Sequence, residues 1–389
     1  MPITACPFCF TKVDTTRLAY QCTNRGTTTC VQDSDPKRED MTGSSARTYP
    51  TFSAAPERGK DAICEVCGGP ARRRACPNCH TAVPSDFVGS DSPMIAIVGS
   101  KGSGKTVLMT TLGKRLRENV SQRFNSSVRI AADDPDQFSS VDQYIAEREN
   151  PLFKGGKLPG HTQESKVEKR RPVMLLWQGE KKKLFGGTAP YSAVLSFVDT
   201  AGEDLNNIES AFTLRYLTVC DSLIVALDPF ALPGARDTIK LPSQAIQSAS
   251  PMDVLGRVTD ILRTEHATKR GKKLKIPVAI VFTKIDAFFP LLQKGNPLLA
   301  TPKDQAAYDD QDGRAVHEHM RAMLHSWGAG EIDTHLRLNY SDFRFFGVSA
   351  LGAEPDYATS RVAAGGVRPH RVEDPMLWLL AKEGAVESV

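Results

Sequence analysis

One octapeptide, Gly99-Ser100-Lys101-Gly102-Ser103-Gly104-Lys105-Thr106, constrains the folds open to this chain more than any other stretch. Its G-x-x-x-x-G-K-T spacing is that of a phosphate-binding loop, in which each part has a physical task. Gly99, Gly102 and Gly104 let the backbone turn tightly. With Ser100, Lys101 and Ser103 they aim successive N–H groups at phosphate oxygens, backed by the positive end of the following helix. Lys105 supplies a point charge for the β and γ phosphates, and Thr106 a hydroxyl for Mg²⁺. The flanks agree with this reading. Met94 to Val98 reads as a short buried strand, and Val107 to Arg117 as a helix with Val107, Leu108, Leu112 and Leu116 apolar.

The chain has 389 residues, enough for two or more domains, and an apolar fraction of 40% that suits a globular protein. No apolar run approaches a membrane span; the longest, Ser222 to Leu227 and Ile276 to Phe282, have the length of strands. Met1-Pro2-Ile3-Thr4-Ala5-Cys6 lacks the basic and then apolar regions of a secretory signal, so a cytoplasmic location is expected. A net charge of +4 does not argue for nucleic-acid binding. Basic clusters at Arg72-Arg73-Arg74, Lys169-Arg170-Arg171, Lys181-Lys182-Lys183 and Lys269 to Lys275 read as solvated loops.

Eight of the nine cysteines fall within the first 79 residues, six of them in C-x-x-C pairs: Cys6/Cys9, Cys64/Cys67 and Cys76/Cys79. A C-x-x-C turn aims two thiolates at one tetrahedral centre, and two such turns complete a closed structural zinc site. Cys64, Cys67, Cys76 and Cys79 are expected to hold one Zn²⁺ in an arrangement that resembles a zinc ribbon. Cys6 and Cys9 are expected to hold a second with Cys22 and Cys30. An interleaved alternative, joining Cys6/Cys9 to Cys76/Cys79, stays open. Disulfides would need an oxidising compartment, which the amino terminus does not indicate. Residues 1–84 are therefore read as a metal-dependent zinc-ribbon module, with a flexible insertion over Val31 to Asp61, where polar composition and lack of period predict a mobile excursion. Residues 85–389 are read as the nucleotide-binding domain. Cys220 is expected in a core.

After the phosphate loop, strands alternate with helices, which implies a mostly parallel α/β sheet. Val194 to Val198 is an apolar strand ending in Asp199-Thr200-Ala201-Gly202. An Asp there can hold the water shell of Mg²⁺, and Gly202 can offer its N–H to a γ-phosphate. Ser222 to Leu227 is an inner strand. Pro277 to Phe282 leads into Thr283-Lys284-Ile285-Asp286, where the Asp286 carboxylate can accept from N1 and the amino group of guanine while the Lys284 stem packs on the base. Phe343 to Val348 delivers Ser349-Ala350-Leu351, whose N–H groups face the guanine oxygen in this reading. Pro172 to Trp177 is also a strand, and the link from Gln178 to Tyr191 has no amphipathic helix, so it and the strand before Asp199 are expected to form an antiparallel hairpin.

These four motifs, each at the end of a strand, resemble those of the P-loop GTPases of the translation-factor and Ras-like class, across residues 94–351. One guanine position departs from the family pattern: Thr283 stands in place of the common Asn, and its hydroxyl can still bridge loops. The resemblance implies a three-layer α/β sandwich that binds GTP or GDP with Mg²⁺. It also implies that a Thr upstream of the hairpin, here Thr162, closes over Mg²⁺ and the γ-phosphate. The insertion before Thr162 is expected to hold a helix opened by Asp134 and Pro135 and running through Val141 and Ile145. With Cys6-Pro7-Phe8-Cys9, the ribbon and Ala226-Leu227-Asp228-Pro229, the whole chain is similar to the bacterial double-GTPase type 2 family of predicted conflict systems. That similarity implies protein partners, namely GTPase-associated components or a second GTPase.

Glu203 occupies the position after Asp-x-x-Gly where many GTPases place a Gln or His to orient water. A carboxylate there repels the γ-phosphate, so slow intrinsic hydrolysis is expected, with Lys105, Thr162, Gly202 and Glu203 as the catalytic set. Arg215, on a helix expected over Leu205 to Leu217, is an internal candidate for charge stabilisation or a surface residue. Two other function classes fit the same residues: a P-loop ATPase, and a zinc-ribbon adaptor for protein or nucleic acid whose nucleotide domain does not hydrolyse. His317, His319 and His325 read as packing or solvent positions on a helix. Asp374 to Leu380 reads as a capped helix covering the sheet.

Overall fold

The computed structural model describes residues 3–23, 29–56, 60–89, 92–100, 102–130, 145–159, 173–182, 187–197, 211–241, 250–266 and 271–389. The amino-terminal part is built from short strands: β1 (Ile3–Ala5), β2 (Lys12–Asp14), β3 (Ala19–Gln21), β4 (Thr51–Phe52), β5 (Ala62–Ile63), β6 (Pro70–Ala71), β7 (Arg73–Ala75) and β8 (Ala82–Val83), with one helix, α1 (Pro36–Thr42). β1 and β2 pair, as do β5 and β6, and an antiparallel sheet runs in the order β4-β3-β7-β8. The segment Val31 to Asp61, expected as a mobile excursion, instead contributes α1 and β4 to this structure, and Asp33 pairs with Thr48. Asp35 caps α1 by accepting from Arg38 N–H at 3.1 Å, with Pro36 at the first position. α1 buries no residue, which is why no hydrophobic period announces it.

Four parallel strands form the central sheet: β9 (Ile95–Gly99) and three further strands that follow the hairpin described below. Helix α2 (Lys105–Arg115) follows β9 and continues into a wide turn over Leu116–Val120. β10 (Ser127–Ile130), β11 (Val173–Lys182) and β12 (Thr188–Phe197) make a separate antiparallel sheet, in which β11 and β12 pair over ten residues as the expected hairpin. Then come α3 (Ala211–Val219), β13 (Ser222–Leu227), α4 (Pro251–Glu265), β14 (Val278–Phe282), α5 (Asp310–Ser326), α6 (Gly330–Asn339), β15 (Phe343–Gly347) and α7 (Asp374–Lys382). The parallel order is β15-β14-β13-β9.

Every residue of β9, β13 and β14 is buried, the signature of a parallel sheet covered on both faces. Side chains alternate between two cores. Ala96, Val98, Leu223, Val225, Val278 and Ile280 pack with Leu217 of α3, Val258 of α4, Met320 of α5 and Leu336 of α6. Ile95, Ile97, Ile224, Ala279 and Val281 pack with Leu108 and Leu112 of α2 and Trp378 of α7. α7 thus covers the sheet as its sequence implied, and Cys220 is buried in the first core. The hairpin alternates too. Leu175, Trp177, Ala193 and Leu195 face the α2 core. Met174, Leu176 and Val194 face the amino-terminal part, where Cys6, Phe8, Val13, Val83 and Phe87 cover them. Of the helix expected from Asp134, only Ile145–Glu149 lies among the described residues, as a wide helical turn running into Asn150–Phe153. Among the described residues no helix is long and apolar enough to cross a membrane.

The free edge of β15 is closed by a side chain: His317 of α5 accepts from Phe345 N–H through Nδ1 at 2.9 Å and stacks on the Phe345 ring at 5.2 Å. Burial holds His317, His319, His335 and His370 below the ordinary histidine value of 6.5. Their neutral forms are favoured in the fold, so their contribution to stability is present above pH 6.5 and is lost as pH falls through the depressed values. Denaturant melts are expected to show stability falling below pH 6.5, by at most about 1.4 kcal/mol per pH unit for each histidine titrating. His317→Gln should flatten that slope; an unchanged slope would remove His317 from the account.

Candidate functional site

Parallel pairing sets the carboxyl ends of β9, β13, β14 and β15 along one edge of the sheet, where α/β folds bind ligands. At the end of β9 a side chain on Gly99 would meet Ala226 O at 2.3 Å and Ser103 Oγ at 2.8 Å, so only glycine fits between the strands. Gly102 and Gly104 hold left-handed conformations, φ 79° and 82°, and Gly104 caps α2. Lys105, buried in the first turn, donates to Gly99 O at 2.7 Å and Ser100 O at 2.9 Å, which folds its ammonium over the loop. Ser103 Oγ is buried and finds no hydrogen-bond partner among the described residues. An orphaned hydroxyl inside a loop of this shape fits a phosphate oxygen. Thr106 lies in the same turn, half-buried.

The Thr283 hydroxyl lies 2.8 Å from Ser103 O and 3.2 Å from Leu227 O, joining the end of β14 to the phosphate loop and to β13. Its single proton serves one acceptor at a time. Lys284, at φ 55°, reaches Asp228 at 2.6 Å and lies 5.0 Å above the Phe230 ring. Asp228 is buried and also accepts from Phe230 N–H at 3.0 Å. Sequence reasoning did not assign Asp228 or Phe230 a site role, although an Asp-Pro closing an apolar strand marked the turn. Burial raises the Asp286 pKa from its ordinary value, opposed by a hydrogen bond from Ser349 and by the charge of Lys284. The fully buried Ser349 thus acts through its hydroxyl. Its N–H, expected to face the guanine oxygen, is instead committed to His370 O at 3.0 Å, because Ser349 and His370 exchange backbone hydrogen bonds. Lys101, Thr162, Asp199, Gly202 and Glu203 lie outside the described residues. Arg215 on α3 is exposed.

The cysteines assemble into two sets: Cys6, Cys9, Cys76 and Cys79, and Cys22, Cys30, Cys64 and Cys67. The interleaved alternative, Cys6/Cys9 with Cys76/Cys79, is the one found, and it corrects the expected ribbon set of Cys64, Cys67, Cys76 and Cys79 and the set of Cys6, Cys9, Cys22 and Cys30. The reason is the antiparallel β3–β7 pairing, which brings the two middle groups together and leaves the first and last pairs to meet. Sulfur separations are 3.8 Å for Cys6–Cys79 and Cys9–Cys76, and 3.7 Å for Cys22–Cys67 and Cys30–Cys64. Four thiolates about 2.3 Å from one zinc ion stand about 3.8 Å apart in a tetrahedron, whereas a disulfide needs about 2.05 Å. Both sets therefore fit Zn²⁺ with no open position. Of the basic cluster beside them, Arg72 pairs with Asp61 and Arg74 lies 3.9 Å over Tyr20, so both serve the module itself.

Elemental analysis should find two zinc ions per chain. The double variant Cys22→Ser/Cys64→Ser should keep one, since both cysteines belong to one centre; loss of both ions would restore the ribbon pairing.

No family model matches the chain. A protein of Mycolicibacterium smegmatis to which a part in ESX-1 scaffolding and assembly is ascribed, SaeC, is 27% identical over 341 residues, covering 80% of each chain. Among solved structures, the signal recognition particle receptor SRb-GTP/SRX complex from Chaetomium thermophilum matches 70% of this chain and all of its own at 14% identity, with a TM-score of 0.29. The chain is thus similar over most of its length to a bacterial assembly protein, and joins a parallel α/β sheet to two four-cysteine centres.

Proposed function

We propose that this chain is a GTP-binding protein that works as a nucleotide-dependent switch within a multi-protein bacterial assembly, residues 1–84 being a zinc module and 85–389 the nucleotide domain. The observation that carries this reading is the Thr283 hydroxyl on Ser103 O, which joins the guanine-type motif to the phosphate loop through one hydrogen bond. A base held by Lys284, Asp286 and Ala350–Leu351 and phosphates held by Gly99–Thr106 would then belong to one ligand. Mg²⁺ would be held by Thr106 with Asp199 and Thr162, and would supply charge neutralisation at the phosphates. Lys105 needs only to leave the loop carbonyls to reach a phosphate, exchanging two neutral acceptors for a charged one. Glu203 next to Gly202 favours slow turnover that a partner accelerates. The SaeC likeness favours an assembly role over a conflict system as the context.

Calorimetry with Mg²⁺ is expected to show GTP and GDP binding and ATP failing to compete. Asp286→Asn should weaken GTP about a hundredfold, the loss of two hydrogen bonds to a charged acceptor, and leave ATP unchanged. Preference for ATP would sink the assignment. Slow GTP turnover is expected from the isolated protein, and fast turnover abolished by Glu203→Ala would overturn that part alone.

The scaffolding role ascribed to the relative favours a second reading, an adaptor that binds nucleotide without turnover. Under it, Lys105→Ala would abolish nucleotide binding and leave partner capture intact; under the switch reading both are lost.

A further inference from the structure

Three cysteine turns share one backbone pattern. The residue after the second cysteine donates to the carbonyl of the first, as Phe10 to Cys6, Gly68 to Cys64 and His80 to Cys76, at 2.8–2.9 Å. Each of these residues is left-handed, at φ 60°, 67° and 55°. Gly68 meets that geometry without strain, whereas a side chain with a Cβ costs roughly 1–2 kcal/mol and persists only where its surroundings hold it. Phe10 and His80 are therefore held by what their side chains touch. His80 Nδ1 lies 2.7 Å from Asp35, the cap of α1. The Phe10 ring packs 5.4 Å from the Tyr216 ring, and both are buried.

Tyr216 belongs to α3, and its hydroxyl donates to Ile95 O at 2.7 Å and accepts from Ile97 N–H at 3.2 Å. The carbonyl before Ala96 and the N–H after it are the two groups that a residue on a neighbouring parallel strand would engage. Among the described residues β12 runs alongside β9 without joining it in one ladder, and the Tyr216 phenol serves the β9 edge in a strand's place. β9 runs directly into Gly99.

We propose that Phe10 and Tyr216 are positioning residues that make phosphate-loop geometry, and with it nucleotide affinity, depend on metal at the Cys6/Cys9/Cys76/Cys79 centre and not at the other. Held by a metal, Cys6 and Cys9 would fix their turn, and through it the aim of Phe10; Phe10 backs Tyr216, and Tyr216 sets the strand that ends in the loop. This rests on the nucleotide-binding reading above. It adds a regulatory input from a site with no contact to the ligand.

The full chain is compared with Phe10→Gly, Tyr216→Phe and Cys22→Ser/Cys64→Ser by metal content, GTP affinity with and without a zinc chelator, and hydrogen exchange of the Ile95–Val98 amides. Phe10→Gly relieves the strain and should keep both ions, yet bind GTP roughly tenfold more weakly, a coupling of ordinary size. Chelation should weaken the native protein by a similar factor, and Phe10→Gly no further, since the contact that transmits the loss is already gone. Tyr216→Phe should match Phe10→Gly in affinity and in faster exchange, while Cys22→Ser/Cys64→Ser should keep native affinity. Native affinity and exchange in Phe10→Gly would overturn the proposal. If the native protein binds no GTP, the nucleotide reading fails on its own, and the exchange of Ile95–Val98 in Phe10→Gly still decides the coupling.

Discussion

Strict alternation along the β11–β12 hairpin is the constraint on which both halves of the molecule rest. Leu176 and Val194 stand opposite each other and face the cysteine centre, while Leu175 and Leu195, one step away, face the helix that follows the phosphate loop. A register slip of one residue would exchange the two faces along the whole ribbon. Burial outweighs charge in holding this wall. Met174, Leu176 and Val194 contribute roughly 1.5–3 kcal/mol each, whereas the Asp86–Arg129 pair beside them is half-exposed on its arginine side and belongs to a class worth about 0–1 kcal/mol.

Polar groups then do what apolar packing cannot, which is to fix the ends of strands relative to one another. Thr283 joins the end of β14 to β13 and to the glycine-rich loop at Ser103. Arg371, with no exposed side-chain surface and at φ 55°, gathers Asp312, Asp374 and Pro297 O and so ties α5 and α7 to the loop before α5. A buried guanidinium stripped of these partners would be costly, so the links constrain geometry more than they add net stability.

Where local pattern decides structure, the sequence was readable. The strands ending at Gly99, Leu227, Phe282 and Gly347 are short apolar runs closed by turn residues, and they lie within a residue of expectation. The hairpin followed from a missing crossover helix. The choice between the two cysteine pairings was not readable, because C-x-x-C spacing is a local quantity that is the same in both; only the β3–β7 register selects one. α1 escaped notice because it turns a single apolar side chain, Met41, to the cysteine cluster and so has no hydrophobic period, although Asp35-Pro36 carries the same start signal as Asp134-Pro135. The amide of Ser349 was misassigned because its partner, His370, is brought back by a later loop that no motif marks. The roles of Thr162, Asp199, Gly202 and Glu203 rest on sequence alone.

The two cysteine sets are nested along the chain rather than consecutive. The set holding Cys30 and Cys64 closes a separation of 34 residues, and the one holding Cys9 and Cys76 closes 67. Loop entropy favours the shorter closure, and once made it removes most of the slack from the longer one. Loop entropy therefore favours closing the inner ring before the outer one, and the cover on the hairpin includes both halves of the outer ring. The first ligands synthesised, Cys6 and Cys9, wait for Cys76 and Cys79 before they have a site. A metal taken up by the outer set would thus bear on the amino-terminal part as a whole, because Cys6 and Cys9 gain their partners only once Cys79 has been made.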